Sequence, residues 1–237
     1  MTSYPASLIL SQKAITFFVL CSAVKSLVLV FSLTGCRDKK SEKRYRDYVK
    51  SLIAINYLGA TDDYIKSTGA NQEDADALYQ ANIELLADNI LDYYGITISN
   101  TSTMRQGYID LAKNIYSKVN YKVSNAYKDG TAYLVDVTVY PIDIFVQTAD
   151  EVNSYISKFN EGVANGDYND YTMEQYETEF STGFLEIMND ACLNMTYGEE
   201  TVVTVEIIID DNVYYISDKD FLAIDEAIIS SAISVAE

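Results

Sequence analysis

Apolar side chains recur every three to four residues in the first part of the polar region of this chain. Residues 41–58, 72–94 and 101–116 each carry such a stripe, which is typical of an amphipathic helix that buries one face. Asn71 precedes the second stretch and Gly95 follows it, as an N-cap residue and a C-terminal glycine would. The pattern predicts three helices that pack as one layer.

The apolar spacing then changes from helical to alternating, which marks a switch from helix to sheet. Residues 119–123 and 133–139 alternate apolar and polar side chains on either side of Asp129-Gly130, a pair of residues favoured in tight hairpin turns. Pro141 cannot donate a backbone hydrogen bond, so it lies at the end or edge of a strand. We therefore predict an antiparallel hairpin here.

A second unit repeats the order of helices followed by a hairpin. Thr148 with Glu151 and Thr172 with Gln175 have the spacing of capping boxes, and each precedes a run with a helical apolar stripe. The apolar pattern predicts strands at residues 203–209 and 213–216, and a last helix from about Asp218 to Val235. The fold class is therefore α+β, with helices packed on an antiparallel sheet. Periodicity leaves open whether the two units form one sheet or two small lobes.

The N-terminal region has a different pattern, because residues 14–33 are almost wholly apolar or small apart from Lys25. The run ends in Leu33-Thr34-Gly35-Cys36, which resembles the lipobox of bacterial lipoproteins. The resemblance implies cleavage before Cys36, a diacylglycerol on its thiol, and a body anchored on the extracytoplasmic face of the cell membrane. It divides the chain into a signal peptide (1–35), a lipidated basic tether (36–50) and an acidic domain (51–237), with candidate sub-units 51–145 and 146–237.

Two features of this region leave alternatives open. The apolar run is long enough for an uncleaved transmembrane helix, for which about 20 residues suffice, although Lys25 would then be a costly charge in the membrane. If Lys25 instead ends the charged region of a signal peptide, translation starts near Val24.

Charge is distributed unevenly along the chain. All 35 acidic residues follow Cys36, yet residues 37–50 hold seven basic residues and only three acidic ones. We predict that this segment contacts anionic membrane headgroups or wall polymers. The residues assigned to that contact are Arg37, Lys39, Lys40, Lys43, Arg44 and Arg46. The strongly acidic remainder argues against nucleic acid as a partner.

The sequence contains no histidine, which removes Ser-His-Asp and Cys-His catalysis and ordinary zinc sites. A pair of carboxylates could still hydrolyse a glycoside, but no pair can be chosen from the acidic residues present. Asp167 to Asp170 looks like a calcium loop but lacks its later residues. We assign no cofactor and no metal ligand. Cys192 lies in a helical apolar stripe and is predicted to be a buried, unreactive thiol.

Tyrosine is abundant, at 21 residues, and several tyrosines fall outside the apolar stripes, including Tyr64, Tyr168, Tyr171 and Tyr197. Exposed aromatic rings can stack on sugars or peptides. Tyr168 and Tyr171 are therefore candidate ligand-binding residues.

Two stretches of the body carry a further resemblance. The alternating valines around Asp129-Gly130 and the segment from Val203 to Ile228 resemble uncharacterised lipoproteins of Gram-positive gut bacteria. The resemblance implies a cystatin-like or nuclear-transport-factor-like fold, with helices across a curved antiparallel sheet. A non-enzymatic surface lipoprotein that binds a peptide, glycan or protein on the concave face of that sheet needs only the anchor, the basic tether and a pocket, and we favour this function. The alternative is a carboxylate-dependent hydrolase of cell-wall glycans.

Overall fold

The computed structural model describes residues 38–98, 102–210 and 213–230. These residues form helices and strands in an α+β arrangement, which confirms the predicted fold class. The elements are α1 (Asp38–Leu58), α2 (Thr61–Thr68), α3 (Gln72–Tyr94), α4 (Arg105–Tyr116), β1 (Asn120–Val123), β2 (Tyr127–Asp129), β3 (Ala132–Tyr140), α5 (Ile144–Gln147), α6 (Ala149–Asn165), α7 (Met173–Leu193), β4 (Thr201–Asp210), β5 (Val213–Tyr215) and α8 (Asp218–Ile228). Among the described residues, no helix has the length and apolar character needed to cross a membrane.

One antiparallel sheet joins the two halves of the body. Its strand order is β1-β3-β4-β5, and β2 also pairs with β3. The central pair, β3 and β4, runs from Tyr133 opposite Ile207 to Val139 opposite Thr201. The two predicted helix-plus-hairpin units therefore share a single sheet.

The strand predicted before Asp129-Gly130 is divided in two. β1 pairs with the end of β3 and β2 with its beginning, so the chain breaks away between them. Ser124 keeps this break hydrogen-bonded, because its backbone N–H donates to Asp136 O at 2.9 Å and its Oγ accepts from Asp136 N at 2.9 Å. Gly130 takes the left-handed conformation, with φ of 61°, that the predicted turn requires.

Two of the three predicted helix caps are confirmed. Asn71 accepts from Asp74 N at the start of α3, and Thr172 and Gln175 form a reciprocal capping box at the start of α7. The box predicted at Thr148 is wrong. The short helix α5 runs directly into α6, so Thr148 has a helical backbone and its hydroxyl donates to Ile144 O at 2.7 Å. A residue in that conformation cannot turn its side chain toward the first N–H groups of α6.

Three expectations about individual elements differ from the structure. Helix α2 was not predicted, and it buries Tyr64 against Ile55, Ala70 and Ala75 rather than leaving that ring exposed. Val163 was assigned to the apolar face of α6 but is 41% exposed, because the buried side of the helix passes through Phe159 and Gly162 instead. The last helix, α8, ends at Ile228, and the predicted continuation beyond residue 230 lies outside the described residues.

The core lies between one face of the sheet and the helices. Val135, Val137 and Val139 of β3 are fully buried on that face, while Asp136 and Thr138 point to the other side. Phe184 of α7 is at the centre of the aromatic packing, with ring centroids 4.9 Å from Tyr94 and 5.9 Å from Tyr108. The outer face of the sheet carries a polar cluster, in which Tyr127 and Thr204 both donate to Asp136 Oδ1, at 3.0 and 2.8 Å.

Candidate functional site

An open groove of about 710 Å³ lies where α1, α2 and β5 meet, and we call it the basic groove. Basic side chains dominate its walls. The lining residues are Lys40, Lys43, Arg44, Arg46, Asp47 and Lys50 of α1, Asp63, Lys66 and Ser67 of α2, and Tyr214 of β5. Six cationic and two anionic side chains give the groove a formal charge of +4, in a chain whose net charge is −18.

The helical repeat of α1 produces one wall of the basic groove. Lys40, Lys43 or Arg44, Asp47 and Lys50 follow one another every three or four residues, so they share one face of the helix. Gly59 ends the helix with a φ of 65°, which lets α2 fold against α1 and bring Lys66 to the opposite wall. The Ser51 and Ser67 hydroxyl oxygens lie 2.7 Å apart and tie the two helices together beside the groove.

Tyr214 lies on the strand side of the groove and is half-buried. Its ring makes edge contacts with Tyr45 and Tyr48 of α1, at centroid distances of 5.2 and 5.1 Å. Burial raises the pKa of Tyr214, and the nearby charge of Arg44 acts in the opposite direction. The hydroxyl therefore remains a neutral donor and acceptor at neutral pH.

The cations of the groove differ in how they are held. Arg46 donates to Asp47 Oδ1 at 2.7 Å and to Asn125 Oδ1 at 2.9 Å, so its guanidinium is fixed against the body. Lys43, Lys50 and Lys66 are exposed, and within the part of the chain that the structure describes none has an ion-pair partner. Their ammonium groups are thus available to an anion from outside.

The structure places only some of the predicted site residues. It brings Lys40, Lys43, Arg44 and Arg46 together in the basic groove. Cys36, Leu33, Thr34, Gly35 and Arg37, together with the side chain of Lys39, lie outside the described residues. The sequence reasoning missed Lys66 and Tyr214, which are distant from the basic segment along the chain and join it only through the packing of α2 and β5.

Tyr168 and Tyr171 are neighbours in the structure, with ring centroids 5.3 Å apart in an edge-to-face arrangement. Tyr168 also stacks on Phe159 at 4.6 Å, so one face of its ring packs inside the protein. Gly162 leaves room for this ring, since a Cβ there would come within 2.9 Å of Tyr168 Cε2. Ring stacking on a sugar stays a prediction for this pair.

Comparison with known proteins gives one similar solved structure. No family model and no curated protein matches the chain. The crystal structure described as "a putative lipoprotein (ycdA) from Bacillus subtilis" superposes with a TM-score of 0.53 at 19% sequence identity. The match covers 82% of this chain and 60% of that protein, so this chain spans about three fifths of its length. At this identity the likeness concerns the fold.

Two acidic residues in the described part of the chain stand out by their burial, Glu177 and Asp225. Glu177 is buried and lines a cavity of about 20 Å³ beside Phe180 and Ser181. Such a volume holds about one water molecule, which is too little for a sugar ring. Within the described residues, no group of three or more histidine, cysteine, aspartate or glutamate side chains could hold a metal ion. Cys192 is buried as predicted, and burial raises the pKa of its thiol to about 11.

The second of these acidic residues is Asp225 of α8, which accepts a hydrogen bond of 2.7 Å from the Tyr57 hydroxyl. Burial raises the pKa of Asp225 from 3.8 to about 6, the Tyr57 hydrogen bond opposes this shift, and Glu226 adds to it. Between pH 4 and 6 the folded protein therefore keeps a proton that the unfolded chain has released. Because of this difference, the free energy of unfolding falls as pH rises from 4 to 6. Above pH 6 the folded protein bears the full cost of the buried, ionised Asp225 carboxylate.

We expect Asp225→Asn to stabilise the fold at pH 7.5 by about 2 kcal/mol, since each pKa unit corresponds to about 1.4 kcal/mol and residual solvent weakens the effect. The amide oxygen can still accept from Tyr57, so only the buried charge is removed. Denaturation at pH 4 and 7.5, on the full chain in neutral detergent, measures the change. The difference in free energy of unfolding between Asp225→Asn and the unaltered chain should become small toward pH 4. Glu161→Gln, which removes an exposed carboxylate from α6, is the control, and an equal gain there would contradict the assignment.

Proposed function

We propose that this chain is a lipid-anchored extracytoplasmic protein of the cell membrane, attached through diacylglycerol at Cys36, and that it binds a ligand rather than transforming one. The observation that carries the proposal is the short distance between Cys36 and the folded body. Helix α1 begins at Asp38, only two residues after the lipobox-like Leu33-Thr34-Gly35-Cys36. The fold likeness to a Bacillus subtilis protein described as a lipoprotein supports the same role.

An anchor at Cys36 would hold the basic groove close to the membrane surface. Lys40 and Lys43 follow Cys36 by four and seven residues, so a helical rise of about 1.5 Å per residue keeps them within roughly one Debye length of the headgroups. Each such cation contributes about 1 kcal/mol of attraction to an anionic leaflet. The acidic remainder of the body is repelled, and this repulsion favours an orientation with the groove toward the membrane.

A binding role also agrees with the chemistry available. The sequence has no histidine to act as a base near neutral pH. The open basic groove offers donors and charge, which are the features of a binding surface. A peptide, glycan or neighbouring protein remains the candidate ligand of the rest of the body.

Proteolysis of intact cells tests the proposed location. The full chain would be expressed in a Gram-positive host, and the cells stripped of wall and treated with a protease that cannot cross the membrane. We expect the acidic body to be digested while a cytoplasmic marker protein survives. Protection of the body until the cells are lysed would contradict the proposal, since an uncleaved transmembrane helix with cytoplasmic basic flanks gives that result.

A further inference from the structure

We infer that the basic groove is a binding site for phosphodiester groups carried in series, as in anionic lipid headgroups or a soluble phosphodiester polymer. The inference goes beyond the lipid anchor, because it concerns the folded body and holds whether or not Cys36 is acylated. It assigns the ligand to both walls of the groove, including Lys66 and Tyr214, rather than to the N-terminal segment alone.

The charge of the groove is the first reason. Five of the cations lie on α1 and Lys66 faces them from α2, and among the described residues that line the groove the acidic side chains are Asp47 and Asp63. Asp47 is already engaged by Arg46 at 2.7 Å. Like charges gathered in this way repel each other, and an acidic protein has ample carboxylates with which to pair them. Leaving Lys43, Lys50 and Lys66 without such partners keeps the positive potential available to an external anion.

The size and lining of the groove are the second reason. Its volume of about 710 Å³ lies in the range of ligand sites and exceeds what a single phosphate needs. Lys40 to Lys50 spans ten residues of α1, or about 15 Å at the helical rise, so it can contact several successive anions. Ammonium groups bind phosphate as point charges, and Arg44 adds a planar donor fork. Tyr214 adds a hydroxyl for the ester oxygens.

A fluorescent reporter can test this site directly, because the chain contains no tryptophan. Tyr214→Trp places a single indole in the groove, and Tyr197→Trp places one on the exposed surface elsewhere. Each full-length variant, in zwitterionic detergent, would be titrated with a soluble glycerol phosphate oligomer of about six units. Parallel titrations would use phosphatidylglycerol vesicles and phosphatidylcholine vesicles, added after the detergent has been diluted below its micelle concentration. Calorimetry on the chain without a reporter repeats the oligomer titration independently of the indole.

We expect saturable binding at the Tyr214→Trp reporter that weakens as salt is raised. The double variant Lys43→Gln/Lys66→Gln should raise the dissociation constant about tenfold or more, since two phosphate contacts are lost. Lys113→Gln/Lys158→Gln removes the same charge from α4 and α6, outside the groove, and should leave the dissociation constant within about twofold, as expected for screened charges.

The probes distinguish the source of the phosphodiester. A response to the oligomer supports a soluble polymer, and a response to phosphatidylglycerol vesicles alone supports a lipid headgroup. The inference is overturned if neither probe changes the groove reporter and calorimetry on the chain without a reporter also detects no binding of the oligomer. Equal weakening by the two double variants would also overturn it, because binding would then follow total charge rather than the groove. A response only to a polyglutamate of equal charge would overturn the assigned ligand class, because the groove would then bind carboxylates rather than phosphodiesters.

Discussion

Replacing Phe184 with alanine should lower the free energy of unfolding by about 3 to 5 kcal/mol, the range for removing a fully buried aromatic side chain. Phe184 is completely buried, and its ring contacts Tyr94, Tyr108 and Phe180. It joins α7 to α3 and α4, so a cavity there weakens packing on both sides. Because this loss is comparable with the whole stability of many domains, the variant should unfold at much lower denaturant.

A matched control separates this effect from the general consequences of substitution. Val163→Ala changes an exposed position at the end of α6 and should cost less than about 0.5 kcal/mol. Denaturant titrations of both variants, followed by far-ultraviolet circular dichroism, give the comparison. A loss below about 1 kcal/mol for Phe184→Ala would contradict the described core, since it is smaller than the cost of removing even a few buried methylene groups.

Replacing Cys36 with alanine should abolish the mature, lipid-anchored form of the protein in the membrane. Two acyl chains give stable anchoring whereas one is marginal, so loss of the modified thiol removes both the anchor and the signal for processing. We expect the variant to accumulate as unprocessed precursor or to be shed into the medium. Fractionation of cells, followed by immunoblotting for precursor and mature lengths, measures the redistribution.

Cys21→Ala is the matched control for this change, because it removes a thiol upstream of the predicted cleavage site. The Cys21 variant should fractionate like the unaltered chain. If Cys36→Ala stays in the membrane and has the same length there as the protein made from the unaltered chain, then neither protein is processed. Residues 14–35 would then act as a transmembrane helix, and the proposed anchor would be wrong.

Local patterns in the sequence predicted much of the fold. Helical apolar spacing predicted α1, α3 and α4, and alternating spacing predicted β3 and β4. These predictions succeed because the buried face of each element is apolar, so the spacing of apolar residues follows the geometry of the element. Caps at Asn71 and Thr172 were predictable because their partners lie three residues away. Thr148 and Glu151 have the residue types and spacing of a capping box, but they do not form one. The short helix α5 directly before Thr148 holds its backbone in a helical conformation.

The basic groove was only half predictable. The basic side chains of its α1 wall were predicted from the basic segment, but no local pattern indicates that this segment forms one wall of a cavity. Lys66 lies on a helix of eight residues with too short an apolar pattern to identify, and Tyr214 reaches the groove because β5 pairs with the end of β4. Both contributions depend on tertiary packing, which local spacing does not encode.

Metabolic labelling with a fatty acid tests the proposed anchor most directly. Cells expressing the unaltered chain or Cys36→Ala would be grown with a tagged fatty acid, and each protein then isolated and partitioned between detergent and water. We predict label and detergent partitioning for the unaltered chain, and neither label nor mature-length protein in the detergent phase for Cys36→Ala. Absence of label from the unaltered chain, or label retained in Cys36→Ala, would contradict the account.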